Sequence, residues 1–485
     1  MTSLLTERIA DFAAARNARA LPPEVADYTG LIVFDTLVCG LAAAHMERTR
    51  MAHKVIDRLG GPEEATVFGR STKAPAAVAA AFNSEITYAL DADDTLFNSA
   101  HFATIVVSSA LAEAERVGAS GDNLLRAVAV GYDMTARLNL ACSFMEVVDG
   151  KMKWSELFGS GYGTLGTVVS AGLVSGVSRD RMIHALALAA ATAPTARNTH
   201  NTERTELATY KYCPNMHVVQ AGMTALILAE AGYLGEPDLL DLEPGFFEAQ
   251  GFRSVRREAI TEDIGDHWWI LDSAVKYYPA CRYTGAPIDA LRALVREHGW
   301  GPDDIEHIEV RLNPGAYSQR VFHTPATSIE PDHRAAIHGA FNIPYLLALA
   351  VLQITPGPAW FDPIHTQDPK VWDIASRIVT APDPELDRDW GDAVADSTIG
   401  RPRRTRASMT VRARGREYAV DTEFTRGDPW TPETRADWDS VMSKAVDFCG
   451  DLVSVERLER LARTVRDLGS VQNVATELAP LLRVE

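Results

Sequence analysis

Apolar residues recur at helical spacing through the first half of the chain. Leu5, Ile9 and Phe12 mark one face of a first helix. Pro22 and Pro23 suit the first turn of a second, whose apolar run reaches Ala44. Ser120, Gly121 and Asp122 precede a helix from Asn123 to Arg137, with Leu125, Val128 and Tyr132 on one face. Val168 to Val174, Met182 to Ala190 and Met216 to Ala231 are rich in small apolar residues, which suits close helix contact. Beyond about Lys276 the period changes. Ile308, Val310 and Leu312 alternate with Glu309 and Arg311, the mark of a half-buried strand. Ser376 to Thr380 predicts a short strand. Met409, Val411 and Ala413 alternate with Thr410 and Arg412, Gly415 supplies a turn, and Tyr418 and Val420 begin a return strand. Helical spacing returns in Trp438, Val441, Met442, Ala445 and Phe448, then in Val455, Leu458, Leu461 and Val465. The pattern predicts a mainly α protein. A helical domain over residues 1–274 is followed by an α+β unit with an antiparallel sheet over 275–425. Helices over 426–485 then complete the helical domain.

Composition narrows the function classes. The 485 residues are 46% hydrophobic and 23% charged, so several cores can form without disulfides or structural metals. Lys and Arg number 47 against 65 Asp and Glu, a net charge of −18. That balance argues against nucleic acid or an anionic membrane as partner. It leaves room for a local cationic pocket and an anionic small substrate. Cys39, Cys142, Cys213, Cys281 and Cys449 are far apart and form no C-x-x-C pair, which suits a reducing cytoplasm. The first residues lack the order of a signal peptide. The run from Leu31 to Ala44 is interrupted by Asp35 and Thr36 and falls short of the ~20 residues a bilayer demands, so it predicts a buried helix.

Two basic or glycine-rich patterns point to packing or surface rather than chemistry. Gly161-Tyr-Gly163-Thr-Leu-Gly166 matches G-x-G-x-x-G, but no convincing strand over Met152 to Phe158 precedes it, and close helix packing is the better reading. Arg401, Arg403, Arg404 and Arg406 lack interleaved aromatics and read as a solvated loop.

The stretch Leu90-Asp-Ala-Asp-Asp-Thr-Leu-Phe-Asn-Ser-Ala-His101 carries more information. Asp91, Asp93 and Asp94 crowd three like charges together, which is costly without cations, metals or hydrogen-bond donors. The glycine and distal glutamate of an EF-hand are missing. An apolar helix from Phe102 to Ala114 follows, so capping accounts for one aspartate. His101 then falls in the first turn, where a neutral imidazole can accept or relay a proton, or serve structure alone. Lys211, in Tyr210-Lys-Tyr-Cys-Pro-Asn, and Lys276, in Val275-Lys-Tyr-Tyr-Pro-Ala-Cys-Arg282, sit among aromatics and proline. Each is either an amphipathic surface residue or a partly desolvated cation that binds carboxylate or acts as a base.

Together these segments resemble the MmgE/PrpD family, which includes 2-methylcitrate dehydratase, cis-aconitate decarboxylase and iminodisuccinate epimerase. The likeness runs nearly the full length. It rests on Val67-Phe-Gly-Arg70, Leu90 to Thr95, Gly131-Tyr-Asp133, Lys211, Gly245-Phe-Phe247, Lys276 to Tyr283, Ile343-Pro-Tyr345, Pro382 to Asp387 and Arg426-Gly-Asp-Pro429. The resemblance implies a helical domain built from both chain ends, a smaller α+β lid and a homodimer. It also implies chemistry without cofactor or metal, in a cleft between domain and lid. It makes His101, Lys211, Asp91 and Tyr345 catalytic candidates, and Lys276, Thr95, Cys281 and Arg282 substrate-binding ones. The chain departs from the family where a second histidine is usual. Trp154-Ser-Glu-Leu-Phe-Gly159 contains none, Phe102 follows His101 where proline is common, and Pro214 replaces a histidine near Lys211. The expected activity is a lyase or isomerase step (dehydration, decarboxylation or epimerisation) on a small polycarboxylate or a relative bearing one carboxylate, starting with proton transfer α to a carboxylate or with loss of CO₂. The competing class is a family relative that binds a carboxylate without turnover.

Overall fold

The computed structural model describes residues 3–484 apart from 98–99, 149–150, 199–210, 212, 263–266, 313–327, 384, 387, 389–391, 393–402 and 405. Its long helices begin with α1 (Leu5–Asn17), α2 (Pro23–Ala42), α3 (Glu47–Leu59), α4 (Ala76–Tyr88) and α5 (Ala103–Val117). They continue with α6 (Gly121–Ala141), α7 (Gly161–Ser175), α8 (Arg179–Thr192) and α9 (Cys213–Glu230). The remainder are α10 (Gly285–His298), α11 (Ile343–Val351), α12 (Trp438–Cys449) and α13 (Val455–Arg466). Local chemistry sets their ends. Ser120 and Ser178 side chains accept from the backbone of Asn123 and Arg181, capping α6 and α8. Gly118 and Gly176, at φ 66° and 67°, close α5 and α7 in the left-handed conformation that favours glycine.

Helices α4, α5, α7 and α9 pack on one another, with α6 and α8 against α7. Small residues permit the close approach. A Cβ at Gly163 would come within 2.8 Å of Ile105, and one at Gly166 within 1.9 Å of the Thr135 hydroxyl. The G-x-G-x-x-G spacing therefore lies inside α7 and serves packing. The segment before it does contain short strands, Lys151–Trp154 and Leu157–Phe158, where the sequence suggested none. Both pair antiparallel, so neither is the first strand of a parallel βαβ unit. Among the arginines of the basic cluster, Arg401 lies outside the described residues, and Arg404 pairs with Glu423 at 2.7 Å on the surface.

Helix α2 is long and apolar enough to cross a bilayer, yet 89% of its apolar window is buried inside the protein. Helices α12 and α13, from the far end of the chain, pack on it. Asp35 of α2 meets Lys444 of α12 at 2.5 Å, and both side chains are fully buried. Lys444 Nζ also donates to the Ala92 carbonyl at 2.7 Å. Burial opposes the Lys444 charge, but Asp35 outweighs it and holds the ammonium above the ordinary lysine range.

The sheet contains β1 (Ile305–Leu312), β2 (Ile378–Pro382), β3 (Ala407–Ala413) and β4 (Arg416–Thr422), in the order β2-β1-β3-β4. Strands β1, β3 and β4 pair antiparallel, as the alternation suggested, but β2 joins β1 in parallel. The difference follows from the connections. A long crossover containing α11 separates β1 from β2 and returns the chain in the same direction. Arg414 and Gly415, at φ 49° and 70°, instead close a tight hairpin between β3 and β4. The chain enters and leaves this segment at one place: Val275 N–H donates to the Gly427 carbonyl at 3.1 Å, and buried Arg282 pairs with buried Asp428.

Lys444→Ala leaves Asp35 buried without its cation and is expected to lower stability by roughly 3–5 kcal/mol in urea denaturation. Replacing both residues by Leu or Met should recover much of that loss. A change below about 1 kcal/mol for the single variant, the size of a surface pair, would show that α12 does not depend on this contact.

Candidate active site

The loop between α4 and α5 buries Asp91, Asp93 and Asp94 together. Each carboxylate has its own compensation. Asp94 caps α5: Oδ1 accepts from the Ala103 N–H at 2.9 Å, while Oδ2 accepts from Tyr132 at 2.8 Å and from Ser273 at 3.2 Å. Burial, and then the Asp93 charge, push the Asp94 carboxyl up to about 6. Asp91 adopts a left-handed backbone conformation, φ 51°, which aspartate tolerates better than most residues. Lys276 Nζ donates to Asp91 Oδ1 at 2.6 Å and stands 3.6 Å from Asp93 Oδ1, while Lys211 Nζ lies 3.8 Å from Asp91 Oδ2. Burial alone would push the Asp91 carboxyl up, but Lys276 and Lys211 overcome it and hold the group below the ordinary carboxylate value. Burial likewise opposes the Lys276 charge, and Asp91 and Asp93 more than offset it, raising that lysine.

His101 stands just ahead of α5 rather than in its first turn, because Phe102 occupies the capping position. Its Nδ1 lies 2.9 Å from Asp93 Oδ2 and 2.8 Å from the Asp94 carbonyl. Both neighbours are acceptors, so Nδ1 bears the hydrogen and Nε2 is the basic nitrogen of the neutral ring. Lys211 Nζ donates to the Tyr88 hydroxyl at 3.0 Å and lies 4.9 Å from the Tyr88 ring centre and 5.4 Å from that of Phe341. The Tyr88 ring is in turn 4.7 Å from the imidazole of His101.

The fold thus gathers Asp91, His101, Lys211 and Lys276 from three distant stretches of chain. Thr95 is buried beside them in sequence, and its hydroxyl has no hydrogen-bond partner among the described residues. Cys281 is partly exposed; burial and then the Asp91 charge push its thiol up to about 12, so it is neutral at physiological pH. Two candidates are placed differently. Tyr345 is fully buried in α11, stacks on Trp372 at 5.4 Å and donates its hydroxyl to the Trp360 carbonyl. Its position at the start of an apolar helix accounts for this core placement, away from the four clustered residues. Arg282 is committed to Asp428 at the junction rather than open to a ligand, and burial pushes its guanidinium down to about 10.

Where the family's second histidine is absent, Ser155 donates to the Gly251 carbonyl at 2.7 Å, Phe158 packs edge-on to Phe144, and Glu156 is exposed. Sequence reasoning missed Tyr88, Ser273 and Phe341, which carry no motif. It passed over Tyr132 as one helix-face residue, although Gly131-Tyr-Asp133 was a usable signal. A cavity of about 970 Å³ opens elsewhere, lined by Arg48, His333 and Asp447 among others. None of the four clustered residues is among its described lining. Among the described residues no three His, Cys, Asp or Glu converge as a metal-ligand set.

Residues 7–253 match the model of the MmgE/PrpD N-terminal domain, and residues 278–469 that of the C-terminal domain. The chain is similar to cis-aconitate decarboxylase of Aspergillus terreus, 22% identical over 409 residues that cover 79% of this chain and 80% of the relative. It is 28% identical to cis-aconitate decarboxylase of Homo sapiens over 348 residues, 69% of each chain. A cis-aconitate decarboxylase-like protein of Aspergillus oryzae is 21% identical over 95% of this chain and 93% of its own.

Asp94 gives a pH test of the loop. A carboxyl raised on folding from 3.8 to about 6 takes up a proton between those values, so it opposes folding increasingly as pH rises through them. Asp94→Asn should therefore gain stability relative to the native chain between about pH 4 and 6. Denaturant midpoints that run parallel with pH in the two proteins would contradict the assignment.

Proposed function

The chain belongs to the MmgE/PrpD family, and on that footing we propose that it is a cofactor-independent lyase of the dehydratase or decarboxylase type, or an isomerase of the epimerase type. Its substrate is a small polycarboxylate. The observation that carries this reading is the pair of lysines converging on Asp91 beside an oriented imidazole. Removing a proton α to a carboxylate produces an enediolate with two negative charges. Loss of CO₂ passes through a similar state. Either step needs fixed positive charge where the negative charge develops, and a base within reach of the proton.

Lys211 and His101 keep 17% and 20% of their side-chain surface exposed, whereas Lys276 keeps 3%. A substrate carboxylate accordingly meets Lys211. Lys276 acts from behind, holding Asp91 and adding its field to the site. His101 Nε2 takes the α-proton, with Asp93 fixing the ring through Nδ1. The Thr95 hydroxyl is buried without a described partner, so it can donate only to a group that reaches into the acidic loop. With His101 the imidazole among the described residues of the site, the returning proton comes from His101 or from Lys211. The positive charge is supplied by the protein's own ammonium groups, so this scheme requires no metal.

Turnover is tested on a panel that includes cis-aconitate and 2-methylcitrate, before and after exhaustive chelation. Activity that survives chelation is expected; loss restored by Mg²⁺ or Zn²⁺ would refute the scheme. His101→Asn should retain ligand binding and lower kcat by ~10²–10⁴. Lys276→Ala should lower kcat by ~10²–10³, the scale of losing one charge-stabilising group. Binding of panel members without turnover of any would favour a non-catalytic carboxylate binder.

A further inference from the structure

Tyr88 is the last residue of α4, next to the acidic loop, and is only 7% exposed. Its two ends meet different members of the site. The hydroxyl accepts from Lys211 Nζ at 3.0 Å, and the ring tilts at 42° against the imidazole of His101, 4.7 Å between centres. The same ring lies 4.9 Å from the Lys211 ammonium, with Phe341 of the α+β segment 5.4 Å from it. One side chain therefore touches both the group read above as the base and the group read as the carboxylate-binding cation.

We propose that Tyr88 is a positioning residue that holds Lys211 as an aimed ammonium and walls the ring of His101, joining the two into one unit. This rests on the functional reading above for what the unit acts upon, but not for the contacts themselves. A phenol oxygen that accepts from an ammonium favours the charged form, and the ring face adds to it. Among the described residues, the charged or titratable groups that face Lys211 include Asp91, which also favours the ammonium, and Cys281, with Lys276 and His101 on the far side of Asp91. Asp91 already shares its charge with Lys276, whose contact is shorter by more than an ångström: 2.6 Å against 3.8 Å. Of these two described acceptors the Tyr88 oxygen, at 3.0 Å against 3.8 Å, is the nearer to Lys211, and Asp91 does not replace it. Phenylalanine at this position would keep the ring against His101 while deleting only that acceptor.

The test requires no substrate. The intact protein and its Tyr88→Phe variant are labelled with isotope-coded acetic anhydride across neutral to alkaline pH, and Lys211 is followed by mass spectrometry. Only the free amine reacts. Loss of the acceptor should move the pH dependence of Lys211 labelling downward, giving roughly tenfold more reaction at fixed pH below the midpoint. A change in access alone would scale labelling equally at every pH and leave the midpoint in place; that result, or no change, would overturn the proposal. Calorimetric titration with cis-aconitate separates the two readings. A moved midpoint with no binding by either protein would count against the polycarboxylate substrate alone, and an unmoved midpoint with tight binding by both would count against Tyr88 alone.

Discussion

Three buried carboxylates within four residues are the constraint to which the rest of this structure answers. An isolated carboxylate taken out of water costs several kcal/mol even after relaxation, so such a loop cannot persist unless other parts of the chain come to it. Helix α5 supplies a backbone N–H to Asp94, α6 the Tyr132 hydroxyl and the stretch after residue 272 the Ser273 hydroxyl. Lys276 reaches Asp91 and Asp93, Lys211 reaches Asp91, and Lys444 holds the Ala92 carbonyl in the middle of the loop. The loop is thus a hub on which both halves of the chain converge. Its electrostatic needs are met by the same groups to which the proposed chemistry is assigned.

That dependence explains why the two ends of the chain are packed together. Helix α2 could bury its apolar surface against many partners, but Asp35 in its middle requires a cation. Lys444 supplies it from α12 and in the same contact touches the acidic loop. The junction near residues 275 and 427 works in a similar way. A Cβ on Gly427 would collide with the Val275 carbonyl, so the backbones approach closely only because glycine is there. Lys276, immediately after this crossing, is thereby delivered to Asp91.

The site divides its charges by exposure. Lys276 is enclosed and held by two carboxylates, whereas Lys211 and His101 keep accessible surface. Enclosed charge costs no reorganisation when a reaction begins, and accessible charge can meet a ligand. Tyr88 stands between the accessible pair, and Phe341 brings the α+β segment into contact with Lys211.

Much of this was legible in the chain itself. Hydrophobic patterning located α1, α2, α5 to α9, α12, α13 and the three antiparallel strands, since burial on one face imposes spacing that any single sequence displays, but it did not single out α3, α4, α10 or α11. The crowding of Asp91, Asp93 and Asp94 marked the loop, because like charges that close demand compensation wherever they lie. The capping role fell to one aspartate, as the start of an apolar helix directly after them required. Other assignments needed the tertiary structure. Tyr345 and Arg282 have the residue types of a carboxylate site, yet one is packed in the core and the other is bound to Asp428. Tyr88, Ser273 and Lys444 have ordinary surroundings in sequence and reach the loop only because the chain folds back on itself. Local spacing records which face of an element is buried; it does not record which distant side chain neutralises a buried charge, because that pairing is decided by packing across hundreds of residues.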